Sequence, residues 1–153
     1  DMMQLSTNLY QYSSQLIRGI DEATRQRVIE ILGEGAAQGL SYSQIATNLR
    51  REFRQFAVPR PQRHIRDRAT LIAVTEIGTA YVRGQVEAVQ QMMNLGMRFE
   101  KFWQTVGDDR VSDGCLGNQE DGWIDFEMLF SSGHSWPLRF PGCRCSLLTR
   151  IKT

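Results

Sequence analysis

Cysteine is scarce in this chain, three residues in 153, and an odd number so small cannot build the disulfide framework that staples small secreted domains. The composition fits a reducing compartment or a redox-indifferent role. Nucleophilic catalysis lacks its parts, because no Ser or Cys stands with a His in any recognisable motif. Nor does any apolar run approach the length needed to span a bilayer, and no basic-then-apolar signal segment is present. An excess of charge of one sign is missing too. A net charge of +1 and a pI near 7.9 exclude both a uniformly basic nucleic-acid binder and an acidic disordered tail, so any electrostatic partner must meet a local patch. What is present is ordinary globular material: 153 residues, 41% hydrophobic, bury a core without staples and make one domain the default. The opening Asp1-Met2-Met3 reads as a stretch taken from a longer chain.

The apolar residues of the first half recur at helical spacing. Leu5, Leu9, Tyr12, Leu16 and Ile20, then Ala23, Val28, Ile31 and Leu32, predict one long helix or two shorter ones. In the second case Asp21 caps the second helix, and Gly33, Gly35 and Gly39 punctuate its end. Ser41 followed by Gln44 is a capping box opening a short helix to about Gln55, with Ile45, Ala46, Leu49 and Phe53 inward. The Gly39-to-Ala46 stretch could be the turn of a helix-turn-helix DNA reader, although ordinary helix packing explains it more simply. Seven arginines lie between Arg50 and Arg68 against Glu52 and Asp67. Pro59-Arg60-Pro61 cannot be helix interior, so this stretch is a linker that presents Arg50, Arg51, Arg54, Arg60, Arg63 and Arg66 to solvent. It could touch DNA backbone or an acidic partner, or be a solvated connector. His64 belongs to the same surface.

A long helix is expected from about Ile65 to Met93, carrying Ile72, Ala73, Ile77, Ala80, Tyr81, Val86, Val89 and Met93 on a broad stripe and stopping at Asn94-Leu95-Gly96. Glu76 falls within that stripe, so its carboxylate is buried and requires a donor. Beyond Gly96 the period changes to two: Met97, Phe99, Lys101 and Trp103 alternate with Arg98, Glu100, Phe102 and Gln104, which predicts a strand. A turn at Gly107-Asp108-Asp109 follows, then a loop-rich stretch with short strands at Trp123-Ile124-Asp125 and Ser146-Leu147-Leu148. So irregular a segment in a small domain implies that something specific holds it.

The closing turn Pro141-Gly142-Cys143-Arg144-Cys145 is the densest chemistry in the chain. In an extended segment Cys143 and Cys145 point one way and Arg144 the other, a thiol face and a cationic face. The guanidinium fork of Arg144 is then free to take a carboxylate, Asp109 or Glu76, and pin the C-terminal segment as a clasp. On that reading Arg144→Ala destabilises the chain far more than Arg150→Ala. Cys115, His134, Cys143 and Cys145 are four soft or imidazole donors, but Ser112 stands where a C-x-x-C ending at Cys115 would have its first thiol.

Taken in order, Thr75-Glu76, Asp109-Arg110-Val111, Cys115 with Asn118, Gly122-Trp123-Ile124, Phe130-Ser131-Ser132-Gly133 and Pro141-Gly142-Cys143-Arg144-Cys145 resemble the phage Mu F-like head morphogenesis family over about residues 65–148. The resemblance implies a helical arm over residues 1–58 and a head-morphogenesis domain over 65–153. It implies a non-catalytic minor head protein of a tailed phage or prophage, located in the virion and in the host cytoplasm during assembly. Its partners would be the portal protein, capsid or scaffold proteins and packaged DNA, with no membrane. Glu76, Asp109, Cys115, Cys143, Arg144 and Cys145 match motif positions and are read as structural. Many members carry a C-x-x-C pair and a histidine before the terminal motif, together resembling a metal site; this chain has Ser112 and Phe140 there. No bound metal or other cofactor is therefore expected, and zinc, if present, would fall to Cys115, Cys143, Cys145 and His134. The expected fold is α+β, a helical N-terminal half leading through a long helix onto a small, loop-rich sheet. Two other classes are a domain of a phage-associated toxin or effector whose catalytic part lies elsewhere, and a sequence-independent DNA-binding module.

Overall fold

The computed structural model describes residues 22–56 and 67–153. The expected helix over Leu5 to Ile20, the Pro59-Arg60-Pro61 linker, His64, Arg60, Arg63 and Arg66 lie outside the described residues. The fold is α+β, with helices in the first half and a three-stranded antiparallel sheet in the second. Two compact units follow each other along the chain, the first ending at Tyr81 and the second running from Val82 to Thr153.

The first unit holds helix α1 (Glu22–Ala37), helix α2 (Tyr42–Glu52), a 3-10 turn (Arg54–Phe56) and the opening turns of α3 (Arg68–Asn94). Gly33 and Gly35 do not end α1 as expected. The helix runs through both because Val28, Ile31, Leu32 and Gly35 recur on one buried face. A Cβ on Gly35 would come within 2.6 Å of Ile45 Cγ1, so this glycine is a contact between α1 and α2. The stop comes at Gly39, whose φ of +70° lets the amide of Leu40 reach back to Gly35 O at 2.9 Å. Ser41 then opens α2 with the predicted capping box: Gln44 N donates to Ser41 Oγ at 3.2 Å, and Ser41 N donates to Gln44 Oε1 at 2.8 Å. Leu32, Ile45, Leu49, Phe56, Ile72, Ala73 and Ile77 form the core of this unit.

Arg50 corrects the expectation of a solvent-facing arginine row. Its Nη1 lies 2.9 Å from Asp67 Oδ2, and Asp67 also accepts from Thr70 N and Thr70 Oγ1, both at 2.9 Å. Asp67, only 3% exposed, thus satisfies an amide in the first turn of α3 while neutralising Arg50. Arg51 and Arg54 are exposed.

In the second unit the later turns of α3 place Val82, Val86 and Val89 against Phe99, Phe126 and Leu147. The helix ends at Asn94, and Gly96 takes φ +94° at the predicted stop. Strand β1 (Phe99–Gln104) is central, flanked by β2 (Ile124–Asp125) and β3 (Ser146–Ile151). Its register pairs Lys101 with Ile124 on one side and Trp103 with Leu147 on the other. Phe99, Lys101 and Trp103 are buried on one face, as the alternation predicts. That face holds a cation: Lys101, 1% exposed, donates from Nζ to Ser135 O at 2.7 Å and lies over the rings of Phe126 and Phe130.

One element is new. Helix α4 (Asp113–Glu120) lies in the stretch expected to be irregular. Ser112 is its N-cap, accepting from Cys115 N at 3.4 Å, and Asp113 places negative charge in the first turn. The polar side chains of α4 hold the loops on either side. Gln119 Oε1 accepts from Thr105 N at 2.9 Å and Thr105 Oγ1 at 2.7 Å. Asn118, fully buried, donates to Ser132 Oγ at 2.8 Å and accepts from Ser132 N at 2.9 Å, and Asp121 accepts from the amide and hydroxyl of Ser131.

Candidate functional site

The motif residues of the second unit come together through three pieces of chain. Trp103 ends the inward row of β1, Cys115 occupies the first turn of α4, and Cys143 and Cys145 follow the Pro141-Gly142 bend, where Gly142 has φ +88° and Cys143 N donates to Phe140 O at 3.1 Å. The three sulfurs lie within 4.8 Å of one another, with Cys115 Sγ and Cys143 Sγ 4.0 Å apart. They are the only group of three or more potential ligands gathered this closely among the described residues. The expectation that Cys143 and Cys145 share a face is met, and Cys115 joins them from 28 residues upstream.

Around the sulfurs the environment is apolar, with Trp103 and Phe130 meeting edge to face at 5.3 Å. Two buried nitrogens there lack a hydrogen-bond partner, Trp103 Nε1 and Arg139 Nε. The guanidinium of Arg139 packs on Gly114, where a Cβ would meet it at 2.6 Å, and its Nη2 donates to Ser112 Oγ at 3.3 Å. Within the trio, hydrogen bonds from Cys143 and then Cys145 hold the Cys115 sulfur well below the ordinary thiol range, against the cost of burial, and Ser112 and Arg139 assist. Cys143 and Cys145 are pushed up by the same pairing, because each gains by keeping the proton it donates to Cys115.

Arg144 takes the opposite side, as its alternation predicts, but its partner is one residue from the expected one. Nη1 and Nη2 lie 2.7 and 2.8 Å from the two oxygens of Asp108, a bidentate pair, while Asp109 is exposed. Asp108 is suited by the turn after Gly107, since its Oδ1 also accepts from Arg110 N at 3.0 Å. The hydrogen bonds from Arg144 hold the Asp108 carboxyl down to about 2. Glu76 is buried on α3 as its place in the apolar stripe requires, 2% exposed. His134 is not one of the gathered ligands; its Nδ1 lies 2.9 Å from Ser132 Oγ.

The donor set tests the metal that the resemblance implies. Three sulfurs are in place, but structural zinc takes four ligands. Ser112 Oγ is committed to the α4 cap and Arg139, and His134 is not gathered with the three sulfurs. The residues therefore do not complete a zinc site, and they leave a three-sulfur cluster faced by two N–H donors.

No curated protein and no solved structure matches the chain. The family described as Phage Mu protein F like protein matches residues 26–148, beginning well before the residues that carry the motif and so including most of α1 and all of α2. The second unit, with its thiol trio and its Arg144–Asp108 pair, lies almost wholly inside that match, and the chain belongs to the family of Phage Mu protein F like proteins.

Proposed function

We propose that this protein is a minor head component of a tailed phage or prophage, incorporated into the capsid near the portal and acting in head morphogenesis without catalysis of its own. The observation that carries this reading is the family match over residues 26–148, which takes in nearly all of the described structure. The site chemistry agrees with a structural part. Arg144 ties the C-terminal segment to the Asp108 turn, and Asn118 and Asp121 tie the Phe130–Gly133 loop to α4, so Arg144, Asn118, Ser131 and Ser132 of the motif are spent within the fold. Among the described residues no helix is long and apolar enough to cross a membrane. The partners on this reading are the portal protein and capsid or scaffold proteins, with packaged DNA a further contact for the arginine stretch. The test is mass spectrometry of purified heads and of the soluble fraction of the same lysate. Recovery at a few copies per head supports the assignment; a protein found free in the lysate and absent from heads overturns it.

A further inference from the structure

We propose that Cys115, Cys143 and Cys145 form a binding site for a soft ion that completes its coordination with three sulfurs, copper(I) being the fitting class, in place of a four-ligand zinc site. Three observations converge on it. The sulfurs are gathered from two distant parts of the chain to within 4.8 Å of one another, and a metal bonded to sulfur at about 2.3 Å in a trigonal plane sets its sulfurs about 4.0 Å apart. The Cys115–Cys143 separation is 4.0 Å, so this pair needs no rearrangement. Thiolate sulfur suits copper(I), zinc and iron–sulfur clusters, and of these the structural zinc and iron–sulfur sites take four protein ligands, so a set of three sulfurs favours copper(I).

The second observation is the shell. Trp103 is fully buried, and its indole N–H, which has no ordinary hydrogen-bond partner, favours the Cys145 sulfur in its thiolate form, a far better acceptor than the thiol. Arg139 Nε is buried and unpartnered in the same way. Three thiolates around a monovalent ion carry two net negative charges, and two N–H donors, one of them cationic, are the complement such a cluster requires. Donors of this kind beyond the ligands tune metal affinity.

The third observation is the want of a fourth protein donor beside Ser112. Ser112 Oγ accepts from Cys115 N and from Arg139 Nη2, while the guanidinium rests on Gly114. A dication seeking a fourth donor on that side meets a cation and an occupied hydroxyl. The ion bound here is thus one that needs no such donor. On binding, each cysteine that is still a thiol gives its proton to solvent, and the ion exchanges its carrier ligands for sulfur without change of oxidation state.

The experiment titrates the reduced, full-length chain anaerobically with copper(I) held by a colorimetric chelator, and separately with zinc. The expected result is one copper(I) per chain retained against the chelator, an X-ray absorption spectrum with three sulfur neighbours and no nitrogen, and quenching of Trp103 emission. His134→Ala should leave the affinity unchanged. Trp103→Phe keeps the ring but removes the N–H, and should weaken binding by about 10–100-fold. Cys145→Ser should abolish the three-sulfur signature; should that variant fail to fold, the absorption spectrum of the unmodified chain still decides. No copper(I) retained against the chelator overturns the proposal. So does tighter zinc binding with a nitrogen or oxygen neighbour that His134→Ala removes.

Discussion

Arg144 and Lys101 show how single residues in the second unit spend their charge. The Arg144–Asp108 pair is half-exposed, whereas the clasp inferred from sequence would have been buried against Glu76 or Asp109. Arg150 is not the idle comparison it seemed in sequence: it reaches Glu100 at 2.8 Å and stacks over Trp123 at 4.1 Å. The contrast between Arg144→Ala and Arg150→Ala should accordingly be small, with both variants melting below the parent and Arg144→Ala lower only by the difference between a bidentate and a single pair. Asp108 gives the clasp a signature in pH. Its carboxyl titrates at about 2 in the folded chain and near 4 when unfolded, so the unfolded state takes up the proton first as pH falls. The stability due to this pair is fully present above about pH 4 and is lost as the pH drops toward 2. Denaturant midpoints measured across that window should fall less steeply for Asp108→Asn than for the parent. Lys101 has the opposite balance. Burial pulls its pKa down to about 8, against the help of Asp125, while an unfolded lysine titrates above 10. Between those values the unfolded chain binds the extra proton, so this residue adds stability as pH rises from 8 to 10. The parent should gain on Lys101→Met over that interval, and the difference between the two proteins removes the contribution of the thiols that titrate there as well.

Elements whose ends are set by local chemistry could be read from sequence; those set by distant partners could not. The Ser41–Gln44 box and the Gly96 stop depend on residues within four positions of each other, and both appear where the pattern places them. Alternation located β1 and put Lys101 on the Phe99–Trp103 face, but β3 extends to Ile151 because six residues of β1 pair with it, which no local signal announces. Helix α4 was missed for a different reason. Its length carries no apolar period, and it is held by Asn118, Gln119 and Asp121 reaching into flanking loops; the one available signal was the cap pair Ser112-Asp113. The same limit applies to the thiols, since Cys143 and Cys145 are related by alternation while Cys115 arrives through α4. Two predictions belong at this scale. Asp67→Ala removes the first-turn hydrogen bond of α3 and strands Arg50, which is 17% exposed, and should cost about 3 kcal/mol by chemical denaturation. Gly35→Ala drives a methyl into Ile45 and should cost about 1–3 kcal/mol, whereas Gly117→Ala on α4, where a Cβ meets nothing within 4 Å, should not destabilise.

For the whole chain, a net charge of +1 conceals how unevenly the charge is committed. Arg50, Arg144, Arg150 and Lys152 each pair with a carboxylate within the fold, at Asp67, Asp108, Glu100 and Asp125. Arg51 and Arg54 stay exposed beside a stretch of sequence that adds Arg60, Arg63 and Arg66. On the function proposed above the partners are packaged DNA and other proteins of the head, and the two kinds of contact differ in their response to salt. Each phosphate neutralised by a cation contributes a slope of about −0.9 to log affinity against log salt, so several arginines on one duplex give a steep, sequence-independent decline between low and physiological ionic strength. Replacing Arg60, Arg63 and Arg66 together should flatten that slope. Arg50→Gln should leave it unchanged once the protein is compared at a temperature where the variant is folded, because Arg50 is already neutralised by Asp67. The measurement is a duplex-binding titration at several salt concentrations with two unrelated sequences. Affinity that does not vary with salt, or no binding at low ionic strength, would make the arginine stretch a docking surface for a protein of the assembling head.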